Sequence, residues 1–156
     1  MRKIAPVIEA KDEPVFIPWT ERELNWRESP IPFIEKNGWH GALISPSING
    51  TNFRFFPYYL PFGQARPFHI TENLELIIFV LEGQIEFGVG PSEDQLQYFQ
   101  LGKYDTLFVP RGRGVDYRNS GPSDARYIMA NSHVGGWPTE CIYNIPGQKE
   151  PFVRKF

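Results

Sequence analysis

Short stretches of apolar or alternating residues, each of strand length, follow one another along most of the chain. They cover 40–48, 52–60, 74–81, 84–89, 95–100, 106–109, 116–119 and 126–130. Alternation with a period of two places every second side chain on one face of a strand, and most of these runs are too short for a stable helix. We therefore predict a series of β-strands, with a further edge strand at 141–145.

Turn-forming residues separate these stretches. Examples are Asn49-Gly50, Pro61-Phe62-Gly63, Gly90-Pro91-Ser92, Gly112-Arg113-Gly114 and Asn119-Ser120-Gly121-Pro122. Strands at such regular spacing, with no helical pattern between them, are typical of an antiparallel sandwich or a closed barrel. The 156 residues contain no internal repeat and no linker, so the pattern predicts a single domain.

The first 37 residues lack the strand-length apolar and alternating stretches of the rest of the chain. Five prolines prevent any long helix there: Pro6, Pro14, Pro18, Pro30 and Pro32. Thr20 and Glu23 have the spacing of a capping box, which predicts one or two helical turns over 20–26. We interpret residues 1–37 as an arm that wraps a β-barrel domain at 38–156 or a neighbouring subunit, and we expect a homodimer.

Composition and charge narrow the classes of partner. The net charge is −2 and no Lys/Arg cluster is present, which argues against a nucleic-acid partner. The longest apolar run, 76–81, is far shorter than the roughly 20 residues that span a bilayer, so we expect no membrane partner. The N-terminus lacks an apolar stretch of signal-peptide length, which favours a cytoplasmic location. Cys141 is the only cysteine, and we expect it to be a buried thiol.

Two stretches within 52–130 carry family-like motifs. In the first, Gly63 is followed after five residues by His69, then after one residue by Thr71, and later by Gly83 in FVLEG. This frame resembles the first motif of the cupin superfamily, G-x5-H-x-H-x3,4-E-x6-G. A tight turn at Gly83 also suits a residue that adopts positive φ without penalty.

The second stretch resembles the second cupin motif, G-x5-P-x-G-x2-H-x3-N. Pro110-Arg111-Gly112 and Asn119 match it, whereas Tyr104 replaces the opening glycine. The resemblance implies a small, single-domain, all-β protein: a cupin-type antiparallel β-barrel, also called a double-stranded β-helix or jelly-roll, with an irregular N-terminal arm.

The resemblance also implies a metal site inside the barrel, made by two histidines, a glutamate and a third histidine. In this chain His69 keeps the first position, Thr71 replaces the second histidine and Val115 replaces the third. The carboxylate position falls on Glu75 when counted from His69 and on Leu76 when counted from Gly83. Strand alternation sends these two side chains to opposite faces, and the unbroken run at 76–81 favours Leu76 inward.

This degenerate ligand set predicts no firm metal site. If Fe, Mn, Ni or Zn binds, His69 and Glu75 are the candidate ligands. His69 alone is a candidate general acid or base, since an unperturbed histidine has a pKa of about 6.5. Tyr58, Thr71 and Arg54 are further candidate catalytic residues, which would stabilise developing negative charge.

A polar cluster around the second motif supplies candidate substrate-binding residues. These are Arg111, Arg113, Asp116 and Tyr117. An arginine can bind a substrate carboxylate through two parallel hydrogen bonds.

Three functions are compatible with these residues. The leading interpretation is an enzyme for a small organic molecule that uses metal-independent acid/base chemistry, of the isomerase, cyclase, lyase or hydrolase type. The second is a metal-dependent dioxygenase or aminohydrolase with atypical ligands, because 42–60 loosely resembles ureidoglycine aminohydrolase-type cupins. The third is a non-catalytic cupin that binds a small molecule or a sugar.

Overall fold

Twelve strands and one short 3-10 turn form the regular structure of the described residues. This computed structural model describes residues 25–28, 36–39, 53–71, 73–133 and 140–155. The 3-10 turn covers Glu93–Gln95. The strands are β1 Asn25–Glu28, β2 Lys36–Trp39, β3 Phe53–Leu60, β4 Ala65–Thr71, β5 Leu74–Glu82, β6 Ile85–Gly90, β7 Gln97–Leu101, β8 Thr106–Val109, β9 Gly114–Asn119, β10 Ala125–His133, β11 Glu140–Tyr143 and β12 Phe152–Lys155.

The strands form two six-stranded antiparallel sheets. The first sheet has the order β1-β2-β3-β10-β5-β8 and the second has the order β12-β11-β4-β9-β6-β7. Apolar side chains from both sheets pack together into one core, as where Phe87 of β6 lies edge-on to Tyr127 of β10 at a ring-centroid distance of 6.4 Å. The all-β jelly-roll architecture predicted from the sequence is therefore confirmed.

Alternation along β5 shows how the sequence selects the core face. Leu76, Ile78 and Val80 are buried, whereas Ile77 between them is 47% exposed. Because successive side chains of a strand point to opposite faces, every second residue of this apolar run enters the space between the sheets. The same rule orients the neighbouring β10, where Tyr127 and Met129 are buried.

Most of the predicted strands are present. Strands β3 and β5 to β11 overlap the predicted stretches, and the predicted stretch at 40–48 lies outside the described residues. The prediction missed β4, where Arg66 and Pro67 interrupt the apolar pattern, and it missed β12. The helical turns predicted over 20–26 are wrong at residues 25 and 26, which belong to β1. That strand pairs with β2, and β2 pairs with β3 at the edge of the first sheet.

The backbone angles of two turns agree with the motif positions assigned from the sequence. Gly83 has a φ of 79°, as its place between β5 and β6 predicts. Tyr104, which replaces the opening glycine of the second motif, has a φ of 71°. The chain therefore keeps a conformation that glycine adopts freely at a position where it carries a tyrosine. Within the described residues, no helix has the length and apolar character needed to cross a membrane.

Candidate ligand site inside the barrel

A β-bulge in β4 decides which side chains enter the barrel. Arg66 pairs with Tyr117 of β9 and His69 pairs with Val115 of the same strand. Three residue steps on β4 thus match two steps on β9, so one extra residue is accommodated between the pairs. Since Tyr117 and Val115 both belong to the core, the bulge places Arg66 and His69 on the same interior face.

His69 is held among aromatic rings. Its ring stacks on Tyr143 at a centroid distance of 4.8 Å and meets Tyr117 edge-on at 6.1 Å. Its Nδ1 lies 2.9 Å from the carbonyl oxygen of Pro67. A carbonyl oxygen only accepts hydrogen bonds, so Nδ1 carries the proton and Nε2 keeps its lone pair.

Burial changes the protonation expected of His69. The pKa of His69 is lowered from 6.5 to about 4, chiefly by desolvation and to a smaller extent by the charge of Arg66, while the hydrogen bond to Pro67 acts in the opposite direction. The unperturbed pKa of about 6.5, on which the candidate acid/base role is based, therefore does not apply to this desolvated ring. At neutral pH the ring is uncharged, which leaves it the role of proton acceptor and removes the role of ready proton donor.

Thr71 also faces the interior, but its hydroxyl is engaged. Its Oγ1 donates a hydrogen bond to Sγ of Cys141 at 3.0 Å, and both residues are buried. Burial raises the pKa of the Cys141 thiol, so the sulfur remains protonated at neutral pH. Cys141 is thus the buried thiol that the sequence predicted, and Thr71 fixes its orientation.

Four tyrosines face the barrel interior, and two of them, Tyr117 and Tyr143, pack against His69. Tyr58 stacks on Tyr127 at 5.3 Å, Tyr127 meets Tyr117 at 6.1 Å, and Tyr143 lies against His69. Burial raises the pKa of Tyr58 to about 12, and it raises the pKa values of Tyr127 and Tyr143 as well. These hydroxyls therefore stay neutral at physiological pH and can donate hydrogen bonds.

Arginines bring positive charge to this tyrosine group. Arg54 of β3 pairs with Asn131 of β10, which pairs in turn with the buried Leu76, so the three share the interior face. Burial lowers the pKa of Arg54 to about 10, with a smaller contribution from the charge of Arg154. Tyr58 feels the charges of Arg66, Arg54 and Arg154 together. The predicted pair Arg54 and Tyr58 therefore faces the same interior as His69.

Arg66 is the site residue that the sequence analysis missed. It is only 7% exposed, and its Nε makes no hydrogen bond within the part of the chain that the structure describes. Burial opposes the ionisation of Arg66, whereas the charges that Tyr117, Tyr127, Tyr58 and Tyr143 acquire at high pH favour it, and the net effect raises the pKa of the guanidinium. Simple alternation from His69 sends residue 66 outward, and only the bulge reverses this.

The carboxylate ambiguity is resolved by the position of Leu76. Leu76 is 5% exposed and belongs to the core, and Val115, at the position of the third histidine, is 2% exposed. Glu75 lies on the outer face, where its Oε1 is 3.7 Å from Nε of Arg111. The conditional assignment of Glu75 as a metal ligand together with His69 is therefore wrong, because the two side chains face opposite sides of the barrel wall.

These positions do not fit the four-ligand metal site that the family resemblance implies. Among the described residues, no group of three or more His, Cys, Asp or Glu side chains is placed to hold a metal ion. Leu76 and Val115 offer no donor atom, and Thr71 is hydrogen-bonded to Cys141.

The predicted substrate-binding cluster is divided by the barrel wall. Tyr117 is buried inside and stacks on Phe87 at 4.6 Å. Asp116 lies on the outer face, where its carboxylate accepts hydrogen bonds from the backbone N–H of Gly88 at 3.1 Å and from the Tyr98 hydroxyl at 3.3 Å. Only Tyr117 of this pair therefore belongs to the interior site.

The two arginines of that predicted cluster lie at the turn between β8 and β9. Both Arg111 and Arg113 are exposed, and Arg111 faces Glu75 on the outside of the barrel. Neither guanidinium lies among the interior tyrosines described above. Arg111 and Arg113 stay predictions as substrate-binding residues, and the buried arginine of the described interior is Arg66.

Comparisons with known proteins bear on the fold. No family model matches the chain, and no curated protein matches it. Among solved structures, the chain is similar to the Cnp3 cupin domain of Schizosaccharomyces pombe, with a TM-score of 0.58, 17% identity, and coverage of 75% of this chain and 74% of that one. It is also similar to an Fe(II)-HppE solved with an alternative substrate, with a TM-score of 0.61, 17% identity, and coverage of 79% and 62%.

A third similar structure is a predicted oxalate decarboxylase from Thermotoga maritima. Its TM-score is 0.55 at 19% identity, with coverage of 64% of this chain and 82% of that one. Identities this low bear on the fold and not on the reaction. The two sheets, the positive-φ turns and the motif order agree with these similarities. This chain therefore has the fold of the cupin superfamily.

Proposed function

We propose that this protein is an enzyme that carries out metal-independent acid/base chemistry on a small organic molecule bound inside the barrel. The observation that supports the proposal most is the state of His69: an uncharged ring whose Nδ1 is committed to Pro67 and whose Nε2 lone pair is left as a proton acceptor. A general base must be deprotonated at working pH and within reach of the proton that it removes.

Other residues of the barrel interior can stabilise the negative charge that forms on the substrate when His69 removes a proton. The hydroxyl of Tyr58 is neutral and can donate a hydrogen bond to an oxygen that becomes negative when a proton is removed. The nearby charges of Arg54 and Arg66 lower the energy of that oxyanion in the same way. Reaction classes that begin with removal of a proton beside a carbonyl fit this arrangement, and they include isomerases, cyclases and lyases.

An experiment that does not require the natural substrate to be known tests this proposal. Chelator-treated full-length protein is incubated in D2O with a panel of small oxo acids, hydroxy acids and sugars, and proton exchange or conversion is followed by NMR. We expect at least one compound to react, and we expect His69→Gln to reduce the rate about 100-fold or more. Arg126→Gln, a change on the exposed face of β10, serves as the control and is expected to keep the full rate.

The pH profile provides a second readout. Because the pKa of His69 is lowered to about 4, kcat/KM is expected to rise with pH through that region and to be flat around neutral pH, without an inflection near 6.5. Full turnover by His69→Gln would contradict the proposal. Turnover that appears only after addition of Fe, Mn, Ni or Zn would instead favour a metal-dependent cupin.

A non-catalytic binding function is the second candidate. It is favoured by Leu76 and Val115, which place apolar side chains at two positions where catalytic cupins carry ligands. A compound that binds saturably inside the barrel, and is neither exchanged nor converted under any condition of the NMR experiment, would support this candidate over the enzyme.

A further inference from the structure

Arg66 has an unusual environment for a buried cation. Its side chain is 7% exposed and lies opposite Tyr117 on the interior face of the second sheet, and its Nε makes no hydrogen bond to any described residue. A guanidinium withdrawn from water costs free energy unless a partner restores its hydrogen bonds. Among the described residues, Arg66 has Tyr117 as its neighbour across the strand pair and forms no ion pair with a carboxylate.

A second buried polar atom at this site also lacks a partner. Asn131 on β10 is 8% exposed, and its Oδ1 atom makes no hydrogen bond within residues 53–71, 73–133 and 140–155. Asn131 shares the interior face with Arg54, its partner on β3. Buried polar groups in native proteins are almost always satisfied, so unsatisfied groups from both sheets point to a ligand that supplies the missing bonds.

We propose that the barrel binds a small organic carboxylate, with Arg66 as the residue that holds the carboxylate group. This inference rests on the proposed function only in placing the ligand inside the barrel, and it names the class of that ligand. The edge of a guanidinium formed by Nε and one Nη presents two parallel N–H donors, which match the two oxygens of a carboxylate. The tyrosine hydroxyls add donors around the same anion, and the Oδ1 atom of Asn131 can accept from a hydroxyl or amide elsewhere on the ligand.

The nearby arginines favour an anion over a neutral ligand. Arg54 and Arg154 act electrostatically on Tyr58 together with Arg66, so three cations contribute to the potential at one interior position. A ligand that enters this field gains Coulomb energy if it is negative, and the gain is larger inside a protein than in water. The aromatic walls, including the stacked pair Tyr58 and Tyr127, suit a flat carboxylate such as benzoate.

Direct binding measurements on the full chain test the proposal without any need for turnover. The probes are benzoate, oxalate and malonate, with inorganic phosphate as an anion of different shape and benzamide as a neutral analogue. We expect saturable calorimetric binding of at least one carboxylate at millimolar concentration or below. We expect Arg66→Met to weaken it at least tenfold, Arg66→Lys to weaken it by less, and Arg126→Gln to leave it unchanged.

Thermal unfolding separates a ligand-binding role of Arg66 from a structural one. If Arg66 is held for a ligand, Arg66→Met should unfold at an equal or higher temperature than the parent protein without ligand, and carboxylate should raise Tm only in the parent. A large loss of Tm in Arg66→Met would assign a structural role and overturn the proposal. Equal binding of benzoate and benzamide, tighter binding of phosphate than of any carboxylate, or no binding of any probe would overturn it as well.

The two proposals can fail independently. Carboxylate binding that depends on Arg66, combined with full turnover by His69→Gln, would remove the acid/base role and leave the carboxylate site standing. Turnover of a neutral compound, combined with no binding of any carboxylate, would remove the carboxylate site and leave the role of His69 standing.

Discussion

At the scale of single residues, the chain keeps the backbone of the cupin motifs better than their side chains. Tyr104 shows this most clearly, because it holds a φ of 71° where the motif has glycine. The strain is tolerated because the backbone N–H of Tyr104 donates to the carbonyl of Val80 at 2.7 Å and its ring stacks on Phe79 at 6.1 Å. Backbone position is retained here although the residue that suits it best is absent.

Substitutions at Tyr104 should separate the contribution of its ring from the cost of its left-handed backbone conformation. Tyr104→Ala removes the ring and keeps the strain, whereas Tyr104→Gly removes both. We expect the glycine variant to be more stable than the alanine variant by about 1 kcal/mol, the cost of a left-handed conformation for a residue with a Cβ. Urea unfolding of both variants measures the difference. Equal stability of the two would show that the turn is not strained.

At the scale of elements, the last residue of the second motif joins three segments. Asn119 is 5% exposed, and its Nδ2 donates to the carbonyls of Leu60 at 3.0 Å and Ser123 at 2.8 Å. Its Oδ1 accepts from the backbone N–H of Gly121 at 3.0 Å. The side chain thereby connects the end of β3 to the turn between β9 and β10, which explains in physical terms why an asparagine suits this position.

Loss of this side chain should destabilise the β9–β10 turn. Asn119→Ala leaves buried carbonyls without a donor, and we expect it to lower the free energy of unfolding by about 2 to 3 kcal/mol. Asn119→Asp, which keeps the shape but exchanges the donor for a second acceptor, should be at least as destabilising. Chemical denaturation measures both, with Ser120→Ala in the same turn as the exposed control. A change below about 0.5 kcal/mol in Asn119→Ala would contradict this assignment.

At the scale of the whole molecule, the outer face of the first sheet is unusually apolar. Ile77 and Phe108 are 47% and 56% exposed, and they lie side by side because β5 pairs with the edge strand β8. Ala130 of β10 continues the same row on the other side of Ile77. An apolar face that reaches an edge strand can be covered by the same face of a second copy around a two-fold axis. We propose this face for the homodimer predicted from the sequence, which stays a prediction.

Light scattering during size-exclusion chromatography tests the proposed dimer. The parent protein is expected to elute as a dimer at micromolar concentration. The double variant Ile77→Asp and Phe108→Asp is expected to elute as a monomer, because charges would be buried in the interface. Ile142→Asp, which changes a partly exposed apolar residue of the second sheet, is the matched control and should remain dimeric. A parent protein that elutes as a monomer would reject the prediction.

The sequence by itself determined the fold class and most of the strands, because a period of two and well-placed turn residues are local properties of the chain. It also named His69, Tyr58, Thr71 and Arg54 as candidate catalytic residues and Tyr117 as a candidate substrate-binding residue, but it could not say which of these side chains enter the barrel, and their roles stay predictions.

Only the tertiary structure decided which of two adjacent residues in a strand faces the barrel interior. The bulge between Arg66 and His69 brings in an arginine that alternation sends outward, and the pairing of β5 buries Leu76 and leaves Glu75 outside. It also decided the protonation of His69, since desolvation depends on the rings packed around it and these come from other strands. The direction in which a side chain points and its exposure to water are set by contacts between distant parts of the chain. A local sequence pattern does not encode these contacts.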